Sequence, residues 1–308
     1  MADRILVVGE ALVDVVHRHD GSVDEHAGGS PANVAIGLAR LGHPVEFAAR
    51  FGTDRHGEMV REHLTENPLV TLSTGTQSGD HTSTAQAYLD ETGAATYVFD
   101  IDWDVESVLT DAPTAHFHTG SIAGTLQPGA SAVTDAARRA RETGTVSYDP
   151  NARPDVMGEP HEVRAQIESL IGLADVVKAS DEDVEWLYEG APVGEVMKLW
   201  GTLGPSLVII TRGGDGFSAL VPGTGEYVER DGYRVDVVDT VGAGDSFMSG
   251  LLSGLLDDGL LGSAQAREAL RGAPMAAFEP ALRRAVGCGA ITVSRAGANP
   301  PTREELPF

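Results

Sequence analysis

Cysteine occurs once in the 308 residues, at Cys288. That excludes an internal disulfide framework and any thiolate-built zinc cage, and leaves a buried small-residue role as the expectation. Lysine occurs twice, at Lys178 and Lys198, and 46 acidic against 22 basic residues leave a formal charge of −24. A surface of that sign repels phosphate backbones and argues against nucleic acid as a partner. A bound nucleotide would need backbone amides, arginines or a divalent cation to offset the field. No run approaches the ~18 uninterrupted apolar residues of a membrane span. The opening stretch MADRILVVGEALVDVV lacks the basic start and cleavage site of a secretory leader, so a cytoplasmic location without membrane attachment is expected. Neither lysine follows a glycine, which removes a Walker-type phosphate loop. VVGEALVD stands where a dinucleotide fold needs G-x-G-x-x-G, which disfavours nicotinamide chemistry.

What is present reads as alternating strand and helix. RILVVGEALVDVV is an apolar, β-branched run expected to form one buried strand. SPANVAIGLARLG follows as a helix, with Ser30 the expected N-cap, Pro31 in the first turn and Gly42 at the C-terminal end. PVEFAARFG reads as the next strand, completing the unit of a parallel sheet. From Ala85 to Phe99 the pattern changes to two β-rich runs around Asp90-Glu91-Thr92-Gly93, a hairpin signal. The alternation then resumes through AHFHTGS, a helix near 128–143, GTVSYDPN, a helix near 161–172, ADVVKAS, a helix from about 181, SLVIITRGG and a final helix after Gly244. The expected architecture is α/β, a mainly parallel sheet with helices on both faces plus a small β appendage. No internal repeat or Pro/Ser-rich linker divides the chain.

The stretch VVDTVGAGDSFMSGLL, Val237 to Leu252, places Gly242, Ala243 and Gly244 at the start of a small-residue helix. Backbone N–H groups there have no intrahelical partner, and glycines let an anion approach them closely. Asp245 falls in the first turn, beside the anion. Amides that stabilise a moving phosphoryl group next to a carboxylate that takes a hydroxyl proton suit phosphoryl transfer. From these residues alone, an ordinary glycine loop with Asp245 as a first-turn dipole partner reads equally well.

Five segments in register resemble the ribokinase-like sugar kinases, most closely their fructokinase branch: GGSPANVAIGLARLG, HFHTGSI, VSYDPNAR, VVKASDED and DTVGAGDSFMSGLL. The resemblance covers nearly the whole chain. It implies a ribokinase-like three-layer sandwich over 1–308, with a discontinuous β lid from about 12–30 and 80–105. It implies Asp245 as catalytic base, the Gly242, Ala243 and Gly244 amides as anion hole, and Arg153 as a local positive charge. Sugar contacts fall on Asp14, Gly28, Gly29 and Asn33, with Tyr97 and Phe99 on the lid. Nucleotide-side positions fall on Lys178, Ser180, Thr211, Gly213, Gly216 and Asn151. Asp149, Asp183 and Glu182 fall on the magnesium region, and Asp239 on that of a monovalent cation such as potassium.

Two departures matter. The family's Asn or Ser followed three residues later by Glu is here Ser180 and Asp183, with Glu182 adjacent. A Tyr-Arg pair that sugar-acid kinases carry after the lid hairpin is replaced by TYVFDIDWD, in which Asp100, Asp102 and Asp104 would repel a carboxylate. Asp100 or Asp102 is then a candidate acceptor for sugar hydroxyls, with Tyr97, Phe99 and Trp103 covering a ring face or a partner subunit. The pairs His17/His19 and His116/His118 complete no zinc pattern and are expected to be structural or solvated. The implied activity is ATP-dependent phosphorylation of a neutral sugar's hydroxymethyl group, fructose first. Its alternatives are a kinase for ribose, a nucleoside or 2-keto-3-deoxygluconate, and a non-catalytic sugar- or nucleotide-binding protein. Homodimerisation through the lid is the family-level expectation.

Overall fold

The computed structural model describes residues 4–91 and 95–306. A nine-stranded sheet runs in the order 226–230, 217–221, 207–211, 176–180, 145–149, 116–120, 5–8, 45–48 and 70–72. Its last seven strands are mutually parallel, and the two at the other edge are antiparallel. Residues alternate between two cores because strand side chains alternate faces. Ile5, Val7, Leu207 and Ile209 enter one core with the helices Ser30–Arg40, Ala243–Asp257 and Met275–Val293. Leu6, Val8, Val208 and Ile210 enter the other with Gly129–Thr143, Pro160–Leu173 and Val193–Leu203. Helices therefore cover both faces, giving three layers.

The run RILVVGEALVDVV is two strands rather than one. Ile5–Val8 is the third strand from one edge of the large sheet, whereas Leu12–His17 joins a separate four-stranded sheet with Val23–Gly28, Thr84–Leu89 and Ala95–Asp100. Gly9 makes the break, since a Cβ there would stand 2.1 Å from Pro31 Cγ. The second hairpin pairs Leu89 with Ala95 and Thr84 with Asp100; of its expected turn residues, Thr92 and Gly93 lie outside the described residues.

The large sheet begins at Ile5–Val8 and is extended one way by 45–48 and 70–72, then the other way from 116–120 onward. The adjacent ends of Ile5–Val8 and His116–Gly120 thus form a topological switch point, where open α/β sheets leave a crevice. Glu10, Ser121, Asp149 and Ser180 follow or end strands on that side. Three helices close it. Gly37 faces Ser249, where a Cβ would stand 2.3 Å from the Ser249 Oγ, so Ser30–Arg40 packs tightly on Ala243–Asp257. Gly250 and Gly254 do the same toward Met275–Val293, with Cβ positions 2.8 Å from Cys288 Sγ and 2.5 Å from Ala281 Cα. Cys288 is fully buried, and burial pushes its thiol up to about 12. The apolar, small-residue character of the helix after Gly244 is thereby explained as close packing on two neighbours.

Candidate active site

Asp245 is buried, and its two carboxylate oxygens are each held. Ser30 Oγ donates to Oδ1 at 2.6 Å and Asn33 Nδ2 donates to Oδ2 at 2.8 Å. Both donors sit on the first turns of Ser30–Arg40, which the glycine contacts above press against the Asp245 helix. Ser30 is therefore not the N-cap expected from its position: Gly29 occupies that place at φ 117°, ψ 126°, without a side-chain cap. Only glycine fits there, because a Cβ would lie 2.4 Å from the Glu10 carbonyl oxygen.

Gly242 caps the Asp245 helix in the left-handed conformation, φ 74°, and no side chain caps that end. Its lack of a Cβ admits Ala298, 2.5 Å from the vacant position. The Ala243 amide reaches the Thr240 carbonyl at 3.3 Å, leaving Gly244 and Asp245 to present the outward donors of the first turn. Lys178 stands at the same spot, its Nζ 3.0 Å from where a Gly244 Cβ would be. Its ammonium is buried and donates to Asp149 Oδ2 at 2.8 Å. Burial opposes the charge, but Asp149, Asp183 and Asp245 together hold Lys178 above the usual lysine range. Burial likewise pushes Asp149 up to about 6, against the pull of Lys178. Buried polar groups normally find partners, yet Asp149 Oδ1, Asn33 Oδ1 and Glu10 Oε2 have none. Three unpartnered oxygens therefore belong to residues that bond or face Asp245.

Asp14 is exposed, yet its neighbours desolvate the carboxyl enough to raise it, with Arg153 and His26 pulling it back. Its Oδ2 is 2.7 Å from the position of a Gly28 Cβ, so Asp14, Gly28 and Gly29 are contiguous. Arg153 is exposed and folded onto its own loop, donating to Asn151 O, Asn151 Oδ1 and Ala152 O. Asn151 takes a left-handed φ of 36°. Tyr97 and Phe99 stack on the second sheet, centroids 5.9 Å apart.

Several other expected residues have bonds or backbone roles within the fold. Both Asp183 oxygens are taken, by the Ala152 amide at 2.6 Å and the Ser180 amide at 2.7 Å; the Asp183 amide in turn donates to Ser180 Oγ, a complete capping box. Glu182 is exposed. Gly216 is required by the hairpin, a Cβ standing 2.0 Å from Arg230 O, and Gly213, at φ 51°, opens the short turn before it. Thr211 Oγ1 donates to Ala179 O across the sheet. Asp239 bonds the Val241 and Gly297 amides, stapling two loops, and these bonds keep its carboxyl below the usual range. Trp103 covers no open ring face: it is buried, with Nε1 donating to Ala123 O. Asp102 pairs with Arg50 at 3.0 Å, Asp100 with His81 at 3.2 Å, and Asp104 accepts from the Glu106 amide, so the acidic segment is partly neutralised. His116 and His118 bond Thr145 and Ser147 in the core, and burial drops both to about 3, which keeps them neutral. His17 stacks on Tyr88 and His19 faces Glu91. Sequence reasoning missed Ser30 as a partner of Asp245 and missed Glu10 altogether.

The model of the pfkB family of carbohydrate kinases matches residues 2–305. The chain belongs to the pfkB family. It is accordingly a sugar kinase with a ribokinase-like fold. The fructokinase of Klebsiella pneumoniae is 32% identical over 97% of this chain and 95% of its own. Fructokinase with bound ATP from Xylella fastidiosa superposes with a TM-score of 0.84, covering 99% of this chain and 97% of that one at 26% identity. A double-mutant fructokinase of Vibrio cholerae O395, in a fructose-, ADP- and potassium-ion-bound form, gives 0.79 at 29% identity, covering 96% and 93%. Among the described residues no helix is long and apolar enough to cross a membrane.

Proposed function

We propose that this pfkB-family kinase phosphorylates the hydroxymethyl group of a neutral sugar, fructose first, at the expense of ATP. The observation that carries this reading is the carboxylate of Asp245, held by Ser30 and Asn33 at an uncapped helix N-terminus beside the buried ammonium of Lys178. Ser30 and Asn33 orient the carboxylate, so that it meets an entering hydroxyl as an acceptor. As that hydroxyl attacks, Asp245 takes its proton, while the first-turn amides and Lys178 face the charge spreading over the phosphoryl oxygens. The oxygen–phosphorus bond to the sugar forms as the bond to the leaving nucleoside diphosphate breaks.

Asp14, the Gly28-Gly29 backbone and the spare oxygen of Asn33 supply acceptors for the other hydroxyls, and Tyr97 with Phe99 supplies an apolar face. In this reading the second sheet is a lid that closes over the sugar and excludes water that would hydrolyse ATP. Arg153 is released from its loop to face a phosphate, and Thr211, Gly213 and Asn151 border the nucleotide. Among the described residues no cluster of three His, Cys, Asp or Glu is arranged to hold a metal. The donors fit instead an ion carried in by nucleotide phosphates, with Asp149 Oδ1 and exposed Glu182 as the available carboxylates and most of its coordination left to water. Magnesium there would neutralise phosphate charge; a potassium ion is assigned to the Asp239 loop. The apolar outer residues of the second sheet, Val23, Tyr88 and Val98, support homodimerisation through it, and the cytoplasm is the assigned location.

Coupled ADP release over fructose, ribose, nucleosides and 2-keto-3-deoxygluconate, with and without magnesium, tests the proposal. Fructose-dependent release that requires the divalent ion is the expected result. Preference for another acceptor by tenfold or more, about 1.4 kcal/mol of transition-state binding, refutes the substrate, and no sugar-dependent release refutes the mechanism.

A further inference from the structure

We propose that Glu10 is a positioning residue of the acceptor-sugar site: its side chain ties the end of the strand Ile5–Val8 to Ser121, and its carbonyl sets the seat of Gly29, the residue that places Ser30 and Asn33 on Asp245. The proposal rests on the kinase reading above. Glu10 follows the strand Ile5–Val8 at the switch point and is 6% exposed. Its carboxyl bonds Ser121, itself buried and held at a left-handed φ of 53°. Such a backbone is strained for a serine and persists only where its surroundings demand it. The second carboxyl oxygen, Oε2, is buried with no partner, an arrangement costly for a charged acid and tolerable for a neutral one.

Burial pushes the Glu10 carboxyl up to about 7; its own amide, Ser121 and Arg153 pull it down, and Asp245 pushes it further up. Arg153, from the loop after the strand Thr145–Asp149, and Asp245, from the helix Ala243–Asp257, are thus the charged groups it faces. While Glu10 is neutral, it adds no negative charge to that of Asp149 and Asp183 already near Asp245. Ionised Glu10 puts like charge next to the carboxylate that must receive a proton and near the place where phosphate charge gathers.

Glu10→Gln keeps the shape and removes the charge; Glu10→Ala removes both. Glu10→Gln is expected to hold kcat/KM for the sugar within about threefold of wild type at about pH 6 and to lose the wild-type fall as pH rises through about 7, because this ratio reports groups of the free enzyme. Glu10→Ala is expected to lose about tenfold or more in that ratio, with the KM for ATP unchanged. Thermal melting gives a readout independent of turnover. Between the unfolded value of 4.5 and about 7 the folded chain binds more protons at this group, so wild type loses stability across that interval as pH rises. Glu10→Gln should therefore melt above wild type at about pH 8 and converge with it near pH 5. Parallel melting curves, or a Glu10→Gln enzyme as impaired as Glu10→Ala, overturn the Glu10 proposal alone. A wild-type protein without sugar-dependent ADP release overturns the kinase reading and the sugar role of Glu10 with it.

Discussion

Replacing Lys178 with methionine separates what its ammonium does for the fold from what it does for the reaction. The side chain is 4% exposed and Asp149 is 1% exposed, with 2.8 Å between Nζ and Oδ2. Removing one partner of such a pair leaves an uncompensated buried charge and costs about 3–5 kcal/mol. Asp149 already has one oxygen without a partner, so no other bond absorbs the loss. At roughly 2 °C per kcal/mol for a chain of this size, the melting temperature should fall by about 6–10 °C at pH 8. Asp149 escapes part of the cost by binding a proton, since burial pushes it to about 6 even with Lys178 present. Without Lys178 that value rises further, so the variant's deficit shrinks as pH falls toward about 6, where Asp149 takes up its proton in wild type as well. Lys178→Met combined with Asp149→Asn leaves no buried charge and should recover most of the melting temperature, while turnover stays low because the cation beside Gly244 is still missing. Calorimetry and ADP release on the two variants, each at two pH values, give the answer. An unchanged melting temperature at pH 8, a deficit indifferent to pH, or a double variant no more stable than the single one would show that the Lys178–Asp149 pair does not act this way.

Gly29→Ala meets both a φ of 117° and a Cβ position 2.4 Å from the Glu10 carbonyl oxygen; a loss of about 3 kcal/mol or more is expected in denaturant unfolding, with KM for the sugar raised more than KM for ATP. Asp54 accepts from the Gly57 amide at the start of the helix Arg55–Thr65 and from the Thr82 amide and hydroxyl before the strand Thr84–Leu89. Asp54→Ala should cost about 1–2 kcal/mol by thermal melting at neutral pH. Although desolvation opposes them, these hydrogen bonds hold the Asp54 carboxyl below its usual range, so its contribution is present above that range and disappears as pH falls through the lowered value.

Much of the fold was legible because alternating apolar runs and capping residues act locally. The errors arose where distant residues decide. The apolar run at the N-terminus hid the break at Gly9, whose need for glycine comes from Pro31 across the turn. Ser30 looked like a cap because serine commonly is one, but its hydroxyl is claimed by a carboxylate 215 positions away. Trp103 and Asp102 looked like ligand contacts until Ala123 and Arg50, far along the chain, took their polar atoms. Asp183 is short by one methylene from the residue expected there, and that length suits its capping box with Ser180, while its other oxygen accepts from the Ala152 amide. Glu10 carried a weak signal of its own, a lone acid between two apolar runs at a strand end. The glycine motif before Asp245 was readable since its chemistry is written in consecutive residues.

The most direct test is turnover by Asp245→Asn. The substitution leaves the fold a way to satisfy itself: Asn33 can rotate its amide and offer its unpartnered Oδ1 to the new nitrogen. Fructose and ATP should bind with affinities close to wild type while kcat falls about 10²–10⁴-fold, the scale of a lost general base. A folded variant that phosphorylates fructose near the wild-type rate would contradict the assignment of proton transfer to this carboxylate.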